Sequence, residues 1–432
     1  MPPALFAFAI ISMVIVALLV FLILFEPGLE YRVKPLGLPL DGEVFARVLG
    51  ALADAEPREG LHVRVLTNGD VFYAAELDAI RNAKETIHLE RYIFRGADEI
   101  GRRYVDALAE RARAGVKVKV VLDYIGSFTT WNSLLAPLRD AGGHVEWYQP
   151  IRWYTFKRFN NRTHRDLLIV DGRIGFVGGA GVADWWAKTT EKEPEWRDTM
   201  VRVEGELVTG LQATFAENWL ESSGAVLGGG ADYFPECRRD EQPNEPAGDM
   251  GIVVISSPSS GRATRARILF QVLLANAAKT IDITSPYFLP DRSARREMIR
   301  AIKERGVRLR ILVPGKHADH LLTRSAGRRR FGELLEAGAE IHEYQPSMIH
   351  AKVLMIDGLW SVVGTTNFDN RSFGINDEVN VAFQNVELAE RLEKDFECDL
   401  SKSKRITLEM WRGRPMTERI VEWASRILER QS

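Results

Sequence analysis

The chain repeats itself. Asn82-Ala83-Lys84-Glu85-Thr86-Ile87 leads to Tyr92-Ile93-Phe94, and Asn276-Ala277-Ala278-Lys279-Thr280-Ile281 leads to Tyr287-Phe288-Leu289. Ala114-Gly115-Val116-Lys117-Val118-Lys119-Val120-Val121-Leu122 returns as Arg305-Gly306-Val307-Arg308-Leu309-Arg310-Ile311-Leu312. Ala141-Gly142-Gly143-His144-Val145-Glu146-Trp147-Tyr148-Gln149-Pro150 returns as Ala337-Gly338-Ala339-Glu340-Ile341-His342-Glu343-Tyr344-Gln345-Pro346. The separations stay close to constant, 194 from Ile87 to Ile281 and 196 from Gln149 to Gln345. A large internal duplication explains this, so the fold is expected to be two similar halves.

Within each copy the hydrophobic period switches between helix and strand. Leu77 to Ala83 and Tyr104 to Ala114 read as helices; Thr86 to Arg91, Val116 to Asp123 and Leu167 to Asp171 read as strands. Gly115 and Gly306 are placed to end a helix before each β-branched run. The expectation is an α/β fold with two α/β sandwich halves, residues 31–222 and 251–400, joined by a Gly-, Pro- and acid-rich linker at 223–250. Residues 401–432 read as a helical tail, with Met416, Ile420, Trp423 and Ile427 on one face that packs on the body.

Ala4 to Phe25 carries no charge, and 22 such residues match the length of a membrane-spanning helix. Without a basic start or a clear cleavage site, residues 1–30 are expected to be an uncleaved single-pass anchor rather than a signal peptide. Arg32 and Lys34 follow the span and no Lys or Arg precedes it, which places the globular part in the cytoplasm. A net charge of −2 gives no basic field for nucleic acid. Cys237 and Cys398 are too few and too far apart for a metal cluster or disulfide scaffold.

The chemistry concentrates at Met348-Ile349-His350-Ala351-Lys352-Val353-Leu354-Met355-Ile356-Asp357-Gly358. On a strand, His350 and Lys352 share a face, so an imidazole stands beside an ammonium, an arrangement suited to a phosphate. Downstream runs Gly364-Thr365-Thr366-Asn367-Phe368-Asp369-Asn370-Arg371-Ser372-Phe373, then Asn376 and Glu378. The first copy offers Thr163-His164-Arg165-Asp166-Leu167-Leu168-Ile169-Val170-Asp171-Gly172, with His164 lying 186 residues before His350. Together with Glu90, Tyr92, Asp123, Trp196-Arg197-Asp198-Thr199 and Ser285-Pro286-Tyr287, these motifs resemble the phospholipase D superfamily, and within it the bacterial cardiolipin synthases. The chain departs from the H-x-K-x4-D pattern at Asp166, where the family has lysine.

The resemblance implies that both motifs meet in one cleft and that phosphodiester exchange needs no metal or cofactor. One histidine forms a phosphohistidine and the other acts as acid, then base; by position His164 is the expected nucleophile and His350 the acid/base, with the reverse assignment open. Lys352 is expected to hold the phosphate, with Asn367, Ser372 and Asn376 as substrate contacts. Each imidazole needs a carboxylate to fix its tautomer, and Asp198 for His164 and Glu378 for His350 are the expected partners. Asp171 and Asp357 complete the motifs and are carried as catalytic candidates, with a turn-capping role as the alternative because each precedes glycine. Exchanging a cation for an anion about 4 Å from a phosphate oxygen changes each Coulomb term by ~1 kcal/mol at water-like screening and ~4 at an effective dielectric of 20. Arg162 shares a face with His164 by alternation and is a candidate substitute cation, whereas Arg165 points away.

The implied activity is a membrane-anchored phosphatidyltransferase that makes cardiolipin from two phosphatidylglycerols, so phospholipid and membrane are the expected partners. The rivals are a phospholipase D that uses water as acceptor and a lipid-binding protein disabled at Asp166. Between Arg152 and Arg165, Trp153, Tyr154, Phe156, Lys157, Arg158, Phe159 and Arg162 interleave cations with aromatics, which near a membrane reads as an interfacial collar.

Overall fold

The structure is a computed structural model that describes residues 8, 10–18, 30–153, 160–187, 194–227, 233, 249–256, 264–416 and 418–419. The first half carries β1 (Arg58–Thr67), β2 (Thr86–Arg91), β3 (Lys117–Asp123), β4 (His144–Tyr148), β5 (Leu167–Val170), β6 (Ile174–Gly178) and β7 (Thr199–Glu204). The second carries β8 (Asp249–Ser256), β9 (Thr280–Thr284), β10 (Arg308–Pro314), β11 (Glu340–Tyr344), β12 (Val353–Ile356), β13 (Trp360–Gly364) and β14 (Glu378–Gln384). Their orders are β4-β3-β2-β5-β6-β7-β1 and β11-β10-β9-β12-β13-β14-β8, which is the same path twice. The duplication seen in the sequence is therefore a duplication of topology. Antiparallel pairing of β1 with β8 joins the two sheets. β15 (Ser403–Ile406) extends the outer edge beside β11, so the tail read as helical opens with a strand.

β2, β3 and β4 are parallel neighbours, as are β9, β10 and β11, and helices on the outer face connect them. The stretches Leu77 to Ala83 and Tyr104 to Ala114 are the later parts of longer helices, Gly69–Asn82 and Glu99–Arg113. Gly115 and Gly306 follow their helices with φ of 91° and 69°, a left-handed geometry that costs glycine little.

Each sheet is covered on both faces, which is why β5 reads as an unbroken apolar run rather than an alternating one. Leu168 and Val170 face the outer core of the first half; Leu167 and Ile169 face a core shared with the second. β12 repeats this, with Leu354 and Ile356 outward and Val353 and Met355 in the shared core. The helices Leu207–Ser223 and Val386–Ser401 fill that shared layer. Packing through it fixes the halves against one another and so fixes the distance between their motifs.

Among the described residues no helix is long and apolar enough to cross a membrane. The expected anchor falls mainly outside the described residues, of which 10–18 are helical. Most of the linker, the collar residues 154–159 and most of the apolar tail face also lie outside them.

Candidate active site

His164 and His350 stand just before β5 and β12, on extended segments rather than within the strands, and two short bridges between the halves hold them. In one, the His164 amide donates to the Asp377 carbonyl at 2.9 Å and the Asp377 amide to the Arg162 carbonyl at 3.0 Å. In the other, the His350 amide donates to Arg197 at 2.7 Å and the Arg197 amide to Met348 at 2.8 Å. Each bridge sets a histidine beside the carboxylate that follows its partner in the other half. His164 Nδ1 lies 3.1 Å from Glu378 Oε2, and His350 Nδ1 lies 3.2 Å from Asp198 Oδ2. The pairing is thus crossed, opposite to the expectation that Asp198 serves His164 and Glu378 serves His350. Asp198 and Glu378 sit at the starts of β7 and β14, and the facing sheets bring each start against the other half's motif.

Both carboxylates are fully buried and further held. Thr365 Oγ1 donates to Glu378 at 2.5 Å, and Trp186 Nε1 to Asp198 at 3.1 Å. The two imidazoles line one cavity of about 250 Å³ with Tyr92, Trp186, Trp196 and Tyr287. Asn367, Ser372 and Asn376 line it too.

Lys352 is buried, with Nζ 2.7 Å from His350 Nδ1 and donating to the His350 carbonyl at 2.8 Å and the Gly179 carbonyl at 3.4 Å. Gly179 is required by this approach, since a Cβ there would lie 2.7 Å from both Asp198 Oδ1 and the His350 carbonyl. Asp166 lines the cavity at the equivalent place in the first half and accepts from the Tyr92 amide at 3.3 Å. Burial pushes its carboxyl up to about 7, against the pull of Arg91, His164 and Lys352.

The two histidines are electrostatically unlike. Burial disfavours charge on His164, but Glu378 outweighs it, so His164 titrates above the ordinary histidine value. His350 titrates below it, because burial and the neighbouring Lys352 both oppose protonation.

Three candidates from the sequence stand elsewhere. Asp171 and Asp357, at φ of 53° and 55°, cap strand entries. Asp171 accepts from the amides of Lys84, Glu85 and Thr86, and Asp357 from those of Ala278, Lys279 and Thr280. They are turn anchors, not groups of the cavity. Arg162 pairs with Asp123 at 3.1 Å and donates to the Tyr148 and Gln149 carbonyls, so it does not replace the missing lysine. Arg165 points away as expected, bonding Glu217 at 2.6 Å. The sequence reading missed Gly179, Trp186, Asp319 and His320. For Gly179 a signal existed: Gly178-Gly179 precedes Gly364-Thr365 by 186, the separation of the two histidines.

A match to the family described as cardiolipin synthase, PLD-like domain, covers residues 77–219 and 271–400, the body of both halves. The chain belongs to that family. It is 35% identical over 367 residues to the major cardiolipin synthase ClsA of Bacillus subtilis, covering 85% of this chain and 74% of that protein. Cardiolipin synthase 1 of Bacillus anthracis is 35% identical over 372 residues, covering 84% and 71%. Among solved structures, the phosphatidylserine synthase of Haemophilus influenzae superposes with a TM-score of 0.70 at 16% identity, over 90% of this chain and 99% of that one. That likeness is one of fold, and it agrees with the paired halves described above.

Proposed function

We propose that this chain is a phosphatidyltransferase that makes cardiolipin from two phosphatidylglycerols and releases glycerol, through a phosphatidyl-histidine. The observation that carries the reading is two imidazoles, each fixed by a buried carboxylate, converging on one cavity with Lys352 beside His350. A nucleophile must be neutral and a proton donor charged. His350, held neutral beside Lys352 with its Nδ1 toward Asp198, presents Nε2 to phosphorus; His164, between Glu378 and Asp166, is the imidazolium. This reverses the roles expected from motif order.

In the first step His350 Nε2 bonds to phosphorus, the bond from phosphorus to the headgroup oxygen breaks, and His164 gives its proton to the departing glycerol. In the second step a hydroxyl of another phosphatidylglycerol attacks phosphorus, His164 takes its proton, and the nitrogen–phosphorus bond breaks. Both imidazoles return to their starting states. Lys352 and Asn367 stabilise charge on the phosphoryl oxygens. The apolar run from Ala4 to Phe25 serves as a single-pass anchor with the catalytic part on the cytoplasmic side.

The test is lipid extraction after expression in cells lacking cardiolipin. Appearance of a diphosphatidyl lipid, lost in His350→Asn, supports the proposal. Free phosphatidic acid alone makes the chain a hydrolase, and unchanged lipids make it a binding protein; either outcome overturns it.

A further inference from the structure

The cavity is walled on one side by segments that leave the parallel strands of the first half. Tyr92 follows β2 directly and lines the cavity. β3 and β4 run parallel to β2 and stay in register to their ends, where Asp123 pairs with Tyr148. The loops after them therefore emerge side by side at the cavity end of the sheet. These loops carry Phe128 and Trp131, 74% and 73% exposed, and Ile151 and Trp153, 51% and 90% exposed.

The loop after β3 is tied to the cavity wall. Ser127 Oγ donates to the Tyr92 carbonyl at 2.9 Å and accepts from the Phe94 amide at 3.0 Å; Thr130 Oγ1 accepts from the Gly96 amide at 2.9 Å. Gly126 lies so close that a Cβ would sit 2.2 Å from the Tyr92 carbonyl oxygen. Large apolar side chains are thus held toward water by the same backbone that shapes the site, and an exposed apolar patch beside a polar cavity marks a contact surface.

The duplication supplies an internal control. In the second half the loop after β10 reads Gly315-Lys316-His317-Ala318-Asp319-His320, with Lys316, His317, Asp319 and His320 exposed. The fold does not need aromatics at this place. Asp319 and His320 line the cavity from that side, and the loop that carries them exposes polar groups and a cation, Lys316, where the loop after β3 exposes aromatics.

We propose that Phe128, Trp131, Ile151 and Trp153 form a docking surface that enters a phospholipid bilayer beside the cavity mouth. The inference rests on the phospholipid substrate proposed above and names the surface that delivers it. The occupant follows from size: about 250 Å³ is below the roughly 300–1,000 Å³ of pockets that enclose drug-sized ligands. A headgroup enters while two acyl chains stay outside, beside these loops. Tryptophan and phenylalanine suit the boundary between headgroups and chains, and Lys316 suits an anionic headgroup layer.

Two readouts on the full chain in vesicles of phosphatidylcholine and phosphatidylglycerol test this. A spin label at Phe128→Cys, with Cys237→Ser and Cys398→Ser, is expected to be accessible to lipid-soluble oxygen and shielded from a water-soluble nickel chelate; a label at Glu110→Cys is expected to show the reverse. The double variant Phe128→Ser/Trp131→Ser is expected to lose roughly tenfold or more in turnover of bilayer phosphatidylglycerol. Its turnover of monomeric dihexanoyl phosphatidylglycerol is expected to stay unchanged. A water-exposed label at 128, equal losses on both substrates, or spin coupling between labels of two copies overturns the proposal. Absence of turnover by the unmodified chain counts against the phosphatidyltransferase reading, while the label depth still decides docking.

Discussion

Glu378→Gln tests the crossed pairing at its most sensitive point. The substitution keeps the side-chain shape but removes a charge 3.1 Å from His164 Nδ1. With charge centres about 4 Å apart and an effective dielectric of ~20, the Coulomb term is ~4 kcal/mol. A replacement amide hydrogen bond returns roughly 1 kcal/mol or more, so the net effect is about one to two pKa units at ~1.4 kcal/mol each. The sign follows from the raised pKa of His164, which Glu378 produces against the effect of burial. The pair stabilises the protonated ring, so its contribution is full below the unfolded-state pKa and is lost as pH rises through the folded one. In the proposed mechanism His164 is the acid, so the alkaline limb of kcat/KM should move about one to two units toward lower pH while the acid limb stays. Imidazole NMR, with lines assigned by His164→Asn and His350→Asn, reads the same shift directly. Movement of the His350 line with His164 unchanged, or of the acid limb alone, would refute the crossed arrangement.

Three further outcomes are expected. Asp166→Asn should stabilise the fold increasingly between about pH 4 and pH 7, because burial pushes the native carboxyl up to about 7 from the ordinary aspartate value of 3.8; folding then binds a proton that rising pH removes, which costs a few kcal/mol, and a pH series of melting temperatures showing no such growth counts against it. Gly179→Ala should cut kcat by roughly a hundredfold or more with little change in secondary structure by circular dichroism, since its Cβ would collide with Asp198 and His350. Asp171→Ala should destabilise the protein by about 1–3 kcal/mol in denaturant titration through three orphaned amides, yet leave kcat/KM within about twofold; a large catalytic loss in a folded variant would return Asp171 to the chemistry.

The duplicated topology was legible because it rests on local signals that recur with a fixed separation: β-branched runs, helix-ending glycines and the two histidines. The capping role of Asp171 and Asp357 was legible for the same reason, an Asp-Gly pair at a strand end. The carboxylate partners were not. Sequence proximity favours Asp198 for His164, but β7 and β14 begin on the side where the halves meet, and only the shared core between Leu167, Ile169, Val353 and Met355 brings those starts across. Arg162 failed similarly. Alternation places it near His164, but Asp123 and two carbonyls at the end of β4 claim its guanidinium first. The aromatic wall at Trp186 and Trp196 gave no periodic signal, because it arises from a short helix and a loop folded onto His350.

Two nearly equal halves pose a problem for a reaction that needs unequal histidines. A lysine in both motifs would oppose protonation of both rings and leave the difference to Asp198 and Glu378 alone. Asp166 adds to an inequality that Glu378 sets: both carboxylates favour charge on His164, whereas Lys352 opposes charge on both rings. The arrangement costs the phosphate one cation, and an anion in its place repels the phosphoryl oxygens. That repulsion is discounted twice. The carboxyl titrates near 7, so only part of its charge is present at neutral pH, and in the proposed mechanism His164, which is close enough to pull on the Asp166 carboxyl, carries an opposing positive charge. In the proposed mechanism Asp166 thus works with Glu378 to make His164 the acid and leave His350 the nucleophile, which is why that role assignment runs against the order of the motifs.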